Sequence, residues 1–177
     1  MDNKTLVCLD GSKMAEEILP FVAESCRLSK SEIVLLQVIT THITIPPPES
    51  MHMLTLGRES KPDTIRTTDV GKSTTLEPKV GLELKEIERQ QGEAKAYLEG
   101  VAQPLRSPVL KIKTLTLEGE VAATILKYAI NNRISLIAMT THGSGGLKRG
   151  ALGRVAQAVL NESVIPVLTV KPKGRAV

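Results

Sequence analysis

Residues 136–160 read LIAMTTHGSGGLKRGALGRVAQAVL, and no other stretch says as much about the fold. It opens with an apolar run, continues as a glycine-rich turn with Lys148 and Arg149, and ends in apolar residues at helical spacing. This pattern predicts a buried strand, a turn, and an amphipathic helix that begins near Gly153. Backbone N–H groups of such a turn and helix can bind a phosphate. A surface loop that only reverses the chain is the alternative.

The rest of the chain repeats the alternation of strand and helix. Apolar runs predict strands at 5–9, 32–39, 109–117, 134–139 and 166–170, and helical spacing predicts helices from 15, 84 and 121. Residues 40–80, with Pro46–Pro48, keep no period and are expected to form a lid or a disordered insertion. Strands that alternate with helices predict a doubly wound, mostly parallel α/β sheet. Ligands bind such sheets beyond the carboxyl ends of the strands.

The composition narrows the class of protein. The chain has 177 residues, 41% hydrophobic and 24% charged, which predicts one domain over 1–177 with a core that needs no disulfide or metal. Aromatic residues make up only 2%, which argues against modules that stack nucleic-acid bases. A net charge of +4 suits either a phosphate-bearing partner or a solvated surface. No apolar run has the length of a membrane span or of a secretory signal, so a cytoplasmic location without a membrane partner is expected.

The cysteines and histidines suggest no metal site. Cys8 and Cys26 lie in apolar stretches and are expected to be two small buried side chains in a reducing compartment. His42 and His52 lie in the 40–80 segment without further ligands at suitable spacing. The sequence therefore predicts no metal ligands.

Several stretches, in order, resemble the universal stress protein family. They are LVCLDGS (6–12), VLLQVI (34–39), LEGEVAATIL (117–126), the stretch 136–160 and VIPVLTV (164–170). The resemblance covers most of the chain outside residues 40–80. It implies a single five-stranded parallel sheet of the flavodoxin-like, adenine nucleotide alpha hydrolase-like type, with strand order 3-2-1-4-5.

The ATP-binding branch of that family carries a glycine, two residues, a second glycine, nine residues, and then Gly-Ser or Gly-Thr. On this chain the four positions are Thr140, Gly143, Gly153 and Arg154, so the motif is degenerate at its first and last places. Thr140 adds a side chain where backbone is expected to approach the ligand. Arg154 either pairs with a phosphate or fills the site.

The resemblance implies a site for ATP or a related adenine nucleotide, with Mg²⁺ only as its companion. Asp10 would lie by the ribose, although a helix-entry turn also explains it, and the backbone of Val38 would lie near the adenine, although core packing also explains Val38. His142 is expected to stabilise its turn, and no catalytic residue is assigned. The full set of expected binding residues is Leu9, Asp10, Val38, Met139, Thr140, His142, Gly143, Gly153, Arg154 and Val155.

Three functions follow as hypotheses. The first is a universal stress protein acting as a regulatory ATP-binding module in the stress response, not an enzyme, with slow ATP hydrolysis left open. The second is a nucleotide-free interaction or scaffold protein that acts through dimerisation and partners. The third is an enzyme that hydrolyses or transfers adenylate, but such enzymes usually carry an SGGxDS-type loop where this chain has DGSK (10–13). By analogy with the family, a homodimer is expected through the edge strand Pro166–Val170, and no nucleic-acid partner is expected.

Overall fold

A computed structural model describes residues 3–40, 77–142 and 152–173, without the side chains of 77–84. Contacts divide the chain into one unit of Met1–Thr41 with Ile87–Val177 and another of His42–Glu86. The sheet and the candidate site belong to the first unit. The expected insertion lies largely outside the described residues, as do Pro46–Pro48, His42 and His52, and the single-domain organisation stays a prediction.

Five parallel strands form one sheet. They are β1 (Lys4–Cys8), β2 (Glu32–Ile39), β3 (Ile112–Glu118), β4 (Leu136–Thr140) and β5 (Val167–Val170). The strand order is β3-β2-β1-β4-β5, so the expected order is confirmed. Leu6 in the central strand β1 pairs with Val34 of β2 on one side and with Ile137 of β4 on the other. Because all strands run the same way, the carboxyl ends of β1, β2 and β4 lie at one edge of the sheet.

Helices cover both faces of the sheet, as the doubly wound class requires. They are α1 (Lys13–Glu16), α2 (Leu19–Ser29), α3 (Glu77–Ala102), α4 (Val121–Asn131) and α5 (Arg154–Glu162). On one face, Val22 of α2 and Leu98 of α3 belong to the buried cluster of Leu35. On the other, Ile125 of α4 and Val159 of α5 belong to the cluster of Leu36. Alternate residues of β2 therefore belong to two separate aliphatic cores.

Several element boundaries differ from the sequence predictions, and three of these differences have a clear physical reason. The helix expected from residue 15 to 26 is two helices, and Pro20 is the second residue of α2, where its missing N–H breaks no helical hydrogen bond. Helix α3 begins at Glu77 rather than at Leu84, with Pro78 likewise in its first turn. Strand β3 begins at Ile112 rather than at Val109, whose side chain is 66% exposed.

The connection from β3 to α4 brings the start of α4 to the carboxyl edge of the sheet. Gly119 has a φ of 138°, and its N–H donates to the Ile39 carbonyl at 3.0 Å. The Glu120 carboxylate then caps α4 by accepting from the N–H groups of Ala122 (3.2 Å) and Ala123 (2.7 Å). Among the described helices, none is long and apolar enough to cross a membrane.

Candidate functional site

A cleft of about 610 Å³ lies at the carboxyl edge of the sheet, where β1 and β4 are neighbours. The chain leaves β1 toward β2 and leaves β4 toward β5, so the two connections diverge and leave a notch between them. Nine of the ten expected binding residues line it: Leu9, Asp10, Val38, Met139, Thr140, His142, Gly153, Arg154 and Val155. The tenth, Gly143, lies outside the described residues. The structure thus brings together residues that are far apart in sequence, and their role in binding stays a prediction.

The turn after β1 forms one wall of the cleft and is held by Asp10. One carboxylate oxygen of Asp10 accepts from the Ser12 N–H (3.0 Å) and from the Ser12 hydroxyl (2.6 Å). The Ser12 Oγ in turn accepts from the Ala15 N–H at 3.2 Å and caps α1. Between them Gly11 has a φ of 84°, a conformation that a side chain would strain. Asp10 is therefore a turn residue and a carboxylate at the cleft at the same time.

The turn after β4 forms the opposite wall. The buried Thr140 hydroxyl donates to the His142 carbonyl at 2.8 Å, and the Thr141 hydroxyl lies 2.8 Å from Nδ1 of His142. The Thr141 N–H donates to the Val170 carbonyl at 2.9 Å, which ties the turn to β5. The side chain that Thr140 adds to the family motif thus bonds within its own turn. His142 also bonds locally, as expected of a turn-stabilising residue.

The start of α5 closes the cleft and offers donors for an anion. The Gly153 N–H donates to the Thr141 carbonyl at 2.8 Å, and no described side chain caps the helix. A Cβ on Gly153 would lie 3.2 Å from that carbonyl oxygen, so the glycine permits a close approach of helix and turn. The first N–H groups of a helix have no partner within it and lie at the positive end of its dipole. This end of the cleft therefore suits a phosphate or carboxylate.

Arg154 is the first residue of α5 and lines the same end of the cleft. Its side chain is exposed, and within the described ranges it makes no hydrogen bond or ion pair. A guanidinium without a carboxylate partner is available to a ligand phosphate.

The middle of the cleft is apolar, and sequence reasoning missed most of its lining. Leu36 of β2 with Val121 and Ile125 of α4 form an aliphatic wall, and Gln37 and Thr40 extend the lining along the end of β2. The apolar spacing of β2 and α4 is visible in the sequence, but the same spacing also fits ordinary core packing. Only the strand order and the packing of α4 on β2 show that these residues reach the cleft.

The two cysteines differ in burial and in the part of the structure that they line. Cys26 is buried and its Sγ lies 3.4 Å from Oγ1 of Thr5, as expected of a small core residue. Cys8 is only partly buried, contrary to expectation, because it ends β1 beside the cleft. Desolvation raises the pKa of the Cys8 thiol to about 12, so the uncharged thiol persists at neutral pH. It contributes an apolar surface to the cleft.

Among the described residues that line the cleft, Asp10 is the carboxylate and His142 is the histidine. Within the described residues no hydrogen bond joins His142 to a carboxylate, and no group of three or more His, Cys, Asp or Glu is arranged to hold a metal ion. The cleft has the uncapped start of α5 at one end and an apolar middle, and the Asp10 carboxylate lines it at the end of β1. Such an arrangement suits a ligand with an anionic end and a flat, largely apolar end.

Comparisons with known proteins find a matching family and relatives that share this fold. The family model described as "Universal stress protein family" matches residues 1–171. Universal stress protein MJ0577 of Methanocaldococcus jannaschii is 28% identical over 98% of both chains. Its solved structure matches with a TM-score of 0.70, at 26% identity and 98% coverage of each chain. Universal stress protein YxiE of Bacillus subtilis is 27% identical over 97% of this chain and all of its own.

A more distant structure shares the fold. A universal stress protein family protein from Arabidopsis thaliana, solved with AMP bound, has a TM-score of 0.55 at 14% identity, covering 97% of this chain and 93% of its own. The family model extends over nearly all of the present chain, and relatives match it from end to end. The chain therefore belongs to the universal stress protein family.

Proposed function

We propose that this protein binds an adenine nucleotide, with ATP as the leading candidate, in the cleft between β1 and β4. The observation that carries the proposal is the start of α5, where the first N–H groups have no side-chain cap and Arg154 is unpaired within the described residues. In this arrangement the phosphates contact the N–H groups of α5 and the Arg154 guanidinium.

We place the other parts of the proposed ligand by the order of the strands. Because β1 separates β4 from β2, the phosphate end and the end of β2 lie about 10 Å apart, two strand spacings. The ribose then lies beside Asp10 at the end of β1, which can accept its hydroxyl hydrogen bonds. The adenine lies at the end of β2, beside the Val38 backbone and against Val121 and Ile125. A cleft of about 610 Å³ has the usual size of a small-molecule site.

Mg²⁺ would accompany ATP and supply positive charge on the phosphates. It takes oxygen ligands and usually keeps several waters, so phosphate oxygens and water would complete its coordination.

A family member with a bound adenine nucleotide supports the choice of ligand. The Arabidopsis family member carries AMP. By extension we propose that nucleotide occupancy in this chain serves regulation in the stress response, in the cytoplasm, rather than turnover. Nδ1 of His142 lies 2.8 Å from the hydroxyl of Thr141, and within the described residues no hydrogen bond joins its ring to a carboxylate.

Isothermal titration with ATP, AMP and adenosine tests the proposal. Arg154→Ser should weaken ATP binding by about tenfold or more, since a charge-assisted hydrogen bond contributes about 1.5–3 kcal/mol. Adenosine binding should not change, because adenosine has no phosphate. Arg27→Ser is the matched control, since Arg27 is an exposed arginine on α2 and does not line the cleft.

Two results would count against the proposal in different ways. An absence of ATP binding at millimolar concentration would refute it and favour the nucleotide-free interaction module. Tighter ATP binding by Arg154→Ser would show that Arg154 obstructs the cleft, while nucleotide binding itself would stand.

We also propose a homodimer that pairs through β5. This strand is at the edge of the sheet, and its other side pairs with β4. The carbonyls of Pro166 and Val170 accept hydrogen bonds from the N–H groups of Ile137 and Thr141, so the even-numbered residues of this strand bond toward β4. Because backbone groups alternate sides along a strand, Val167 and Thr169 direct theirs to the open edge. A mass of one chain by light scattering at micromolar concentration would contradict this dimer.

A further inference from the structure

A second recess lies on the other face of the sheet from the wall formed by α4. It measures about 350 Å³, and its lining includes Gly11, Gln37, Glu93 and Tyr97. Gln37 alternates with Val38 along β2 and shares the parity of Leu35, whose cluster includes Leu98 of α3. The recess therefore lies between the end of β2 and the helix α3, beneath the turn that contains Gly11.

Two polar atoms of this lining are buried without a hydrogen-bond partner. They are the Oε1 of Gln37 and the phenol oxygen of Tyr97. The Gln37 amide also lies close beneath Gly11, since a Cβ there would be 3.5 Å from Nε2. A buried polar group left unpaired costs about 1–3 kcal/mol. Buried polar atoms in native proteins nearly always have a hydrogen-bond partner. The two unpaired oxygens lie in one recess, so one ligand could bond to both.

The charges around the recess are negative. Glu93 lines it, although it forms an ion pair with Arg89 at the surface. Burial, together with the carboxylates of Glu16 and Asp10, raises the pKa of the Tyr97 phenol. The Glu16 carboxylate lies near enough to make the phenol less acidic, and it also forms an ion pair with Lys13. No lysine or arginine is among the described residues that line the recess.

We propose that this recess binds the primary ammonium group of a small organic amine. A primary ammonium carries three N–H donors and one positive charge. Its donors match three acceptors of the lining: Oε1 of Gln37, the phenol oxygen of Tyr97 and the carboxylate of Glu93. An anion would be repelled by the carboxylate of Glu93 and by the nearby carboxylates of Glu16 and Asp10, and an apolar ligand would leave both buried oxygens unpaired. The recess shares Gln37, Val38 and Thr40 with the lining of the cleft, but its three acceptors include none of the phosphate contacts proposed at α5.

Nuclear magnetic resonance of the full chain without nucleotide tests the site. The side-chain amide of Gln37 is followed during titration with 1,4-diaminobutane at constant pH and ionic strength. At about 10 mM, a ligand with a Kd of about 1 mM occupies about nine-tenths of its sites. We expect a saturable shift of the Gln37 amide signals. Tetramethylammonium is the probe control because it has the charge but no N–H donor.

Two variants remove the proposed contacts without opening a large cavity. Gln37→Leu and Tyr97→Phe each delete an unpaired polar atom, so both should remain folded. Each should weaken diaminobutane binding by about tenfold or more, because a hydrogen bond to a charged group is lost. Gln103→Leu and Tyr128→Phe are matched controls, made on an exposed glutamine and on the other tyrosine of the chain. In these variants the backbone amide signal of Gly11 replaces the Gln37 signal as the reporter.

The outcomes separate clearly. Saturable binding that is lost in Gln37→Leu and Tyr97→Phe but kept in both controls supports the site. An equal response to tetramethylammonium would show a general effect of charge and would overturn the proposal. So would the absence of any shift at about 10 mM, where a millimolar site would be nearly full, because the recess would then hold only water.

Discussion

Substitution of Gly153 by alanine tests how closely the start of α5 must approach the turn after β4. The backbone of Gly153, at φ −60° and ψ 146°, is open to any residue, so conformational strain plays no part. The new Cβ would lie 3.2 Å from the Thr141 carbonyl oxygen and 3.9 Å from the Cα of His142. The contact with the carbonyl is tight, so helix and turn must separate by a few tenths of an ångström.

The same carbonyl accepts the Gly153 N–H at 2.8 Å, so separation weakens this hydrogen bond. Its net contribution is about 0.5–1.5 kcal/mol. We therefore expect the free energy of unfolding to fall by about 1 kcal/mol, since alanine is also a poor N-cap. If the phosphate contacts move with the helix, AMP affinity should fall by up to about tenfold, which corresponds to 1.4 kcal/mol.

Urea denaturation and isothermal titration with AMP measure the two effects. Gly100→Ala is the matched control, because nothing lies within 4 Å of its Cβ position in α3. That substitution should stabilise the protein by about 0.5–1 kcal/mol and leave AMP binding unchanged. The reasoning fails if Gly153→Ala keeps both the stability and the AMP affinity of the parent chain.

Three further substitutions test other parts of the structure. Glu120→Ala should lower the unfolding free energy by about 0.5–2 kcal/mol in urea denaturation, because it removes the cap of α4; an unchanged midpoint would show that the cap is dispensable. Burial raises the pKa of Cys8 from 9.0 to about 12, so the unfolded state loses its proton first and stability should fall as pH rises from 9 toward 12. The limiting slope is about 1.4 kcal/mol per pH unit, and Cys8→Ala should remove this part of the dependence; an identical slope in that variant would contradict it. Thr169→Pro should abolish dimerisation by removing an outward N–H of β5, with the fold kept, since proline is tolerated on edge strands; a dimer that persists in light scattering would place the interface elsewhere.

Local patterns were enough to predict most of the elements. The nearly continuous apolar run of β2 predicted Glu32–Ile39 to the residue, because a strand buried on both faces is apolar at most of its positions. The break between α1 and α2 was missed, because the apolar spacing continues across it. The early start of α3 was missed as well, because its first turns carry no apolar stripe, and Pro78 was taken for a loop residue.

The candidate site was partly foreseeable. Residues of the two turns, such as Asp10 and Gly153, could be named from the family motif and their positions after predicted strands. Ile125 and Gln37 could not, because a stripe on a helix or strand gives no information on which of its residues border a cleft. Gly143, part of the same motif, lies outside the described residues, and its role stays a prediction.

The sequence by itself determined the alternation of strands and helices, the parallel sheet and the glycine position at the start of α5, because periodicity and backbone freedom are local properties. Only the tertiary structure decided that Val121 and Ile125 of α4 border the cleft and that Gln37 and Tyr97 bury unpaired oxygens in one recess. Both outcomes depend on which distant segments pack together. Whether a polar atom finds a partner is settled only when all its neighbours are in place.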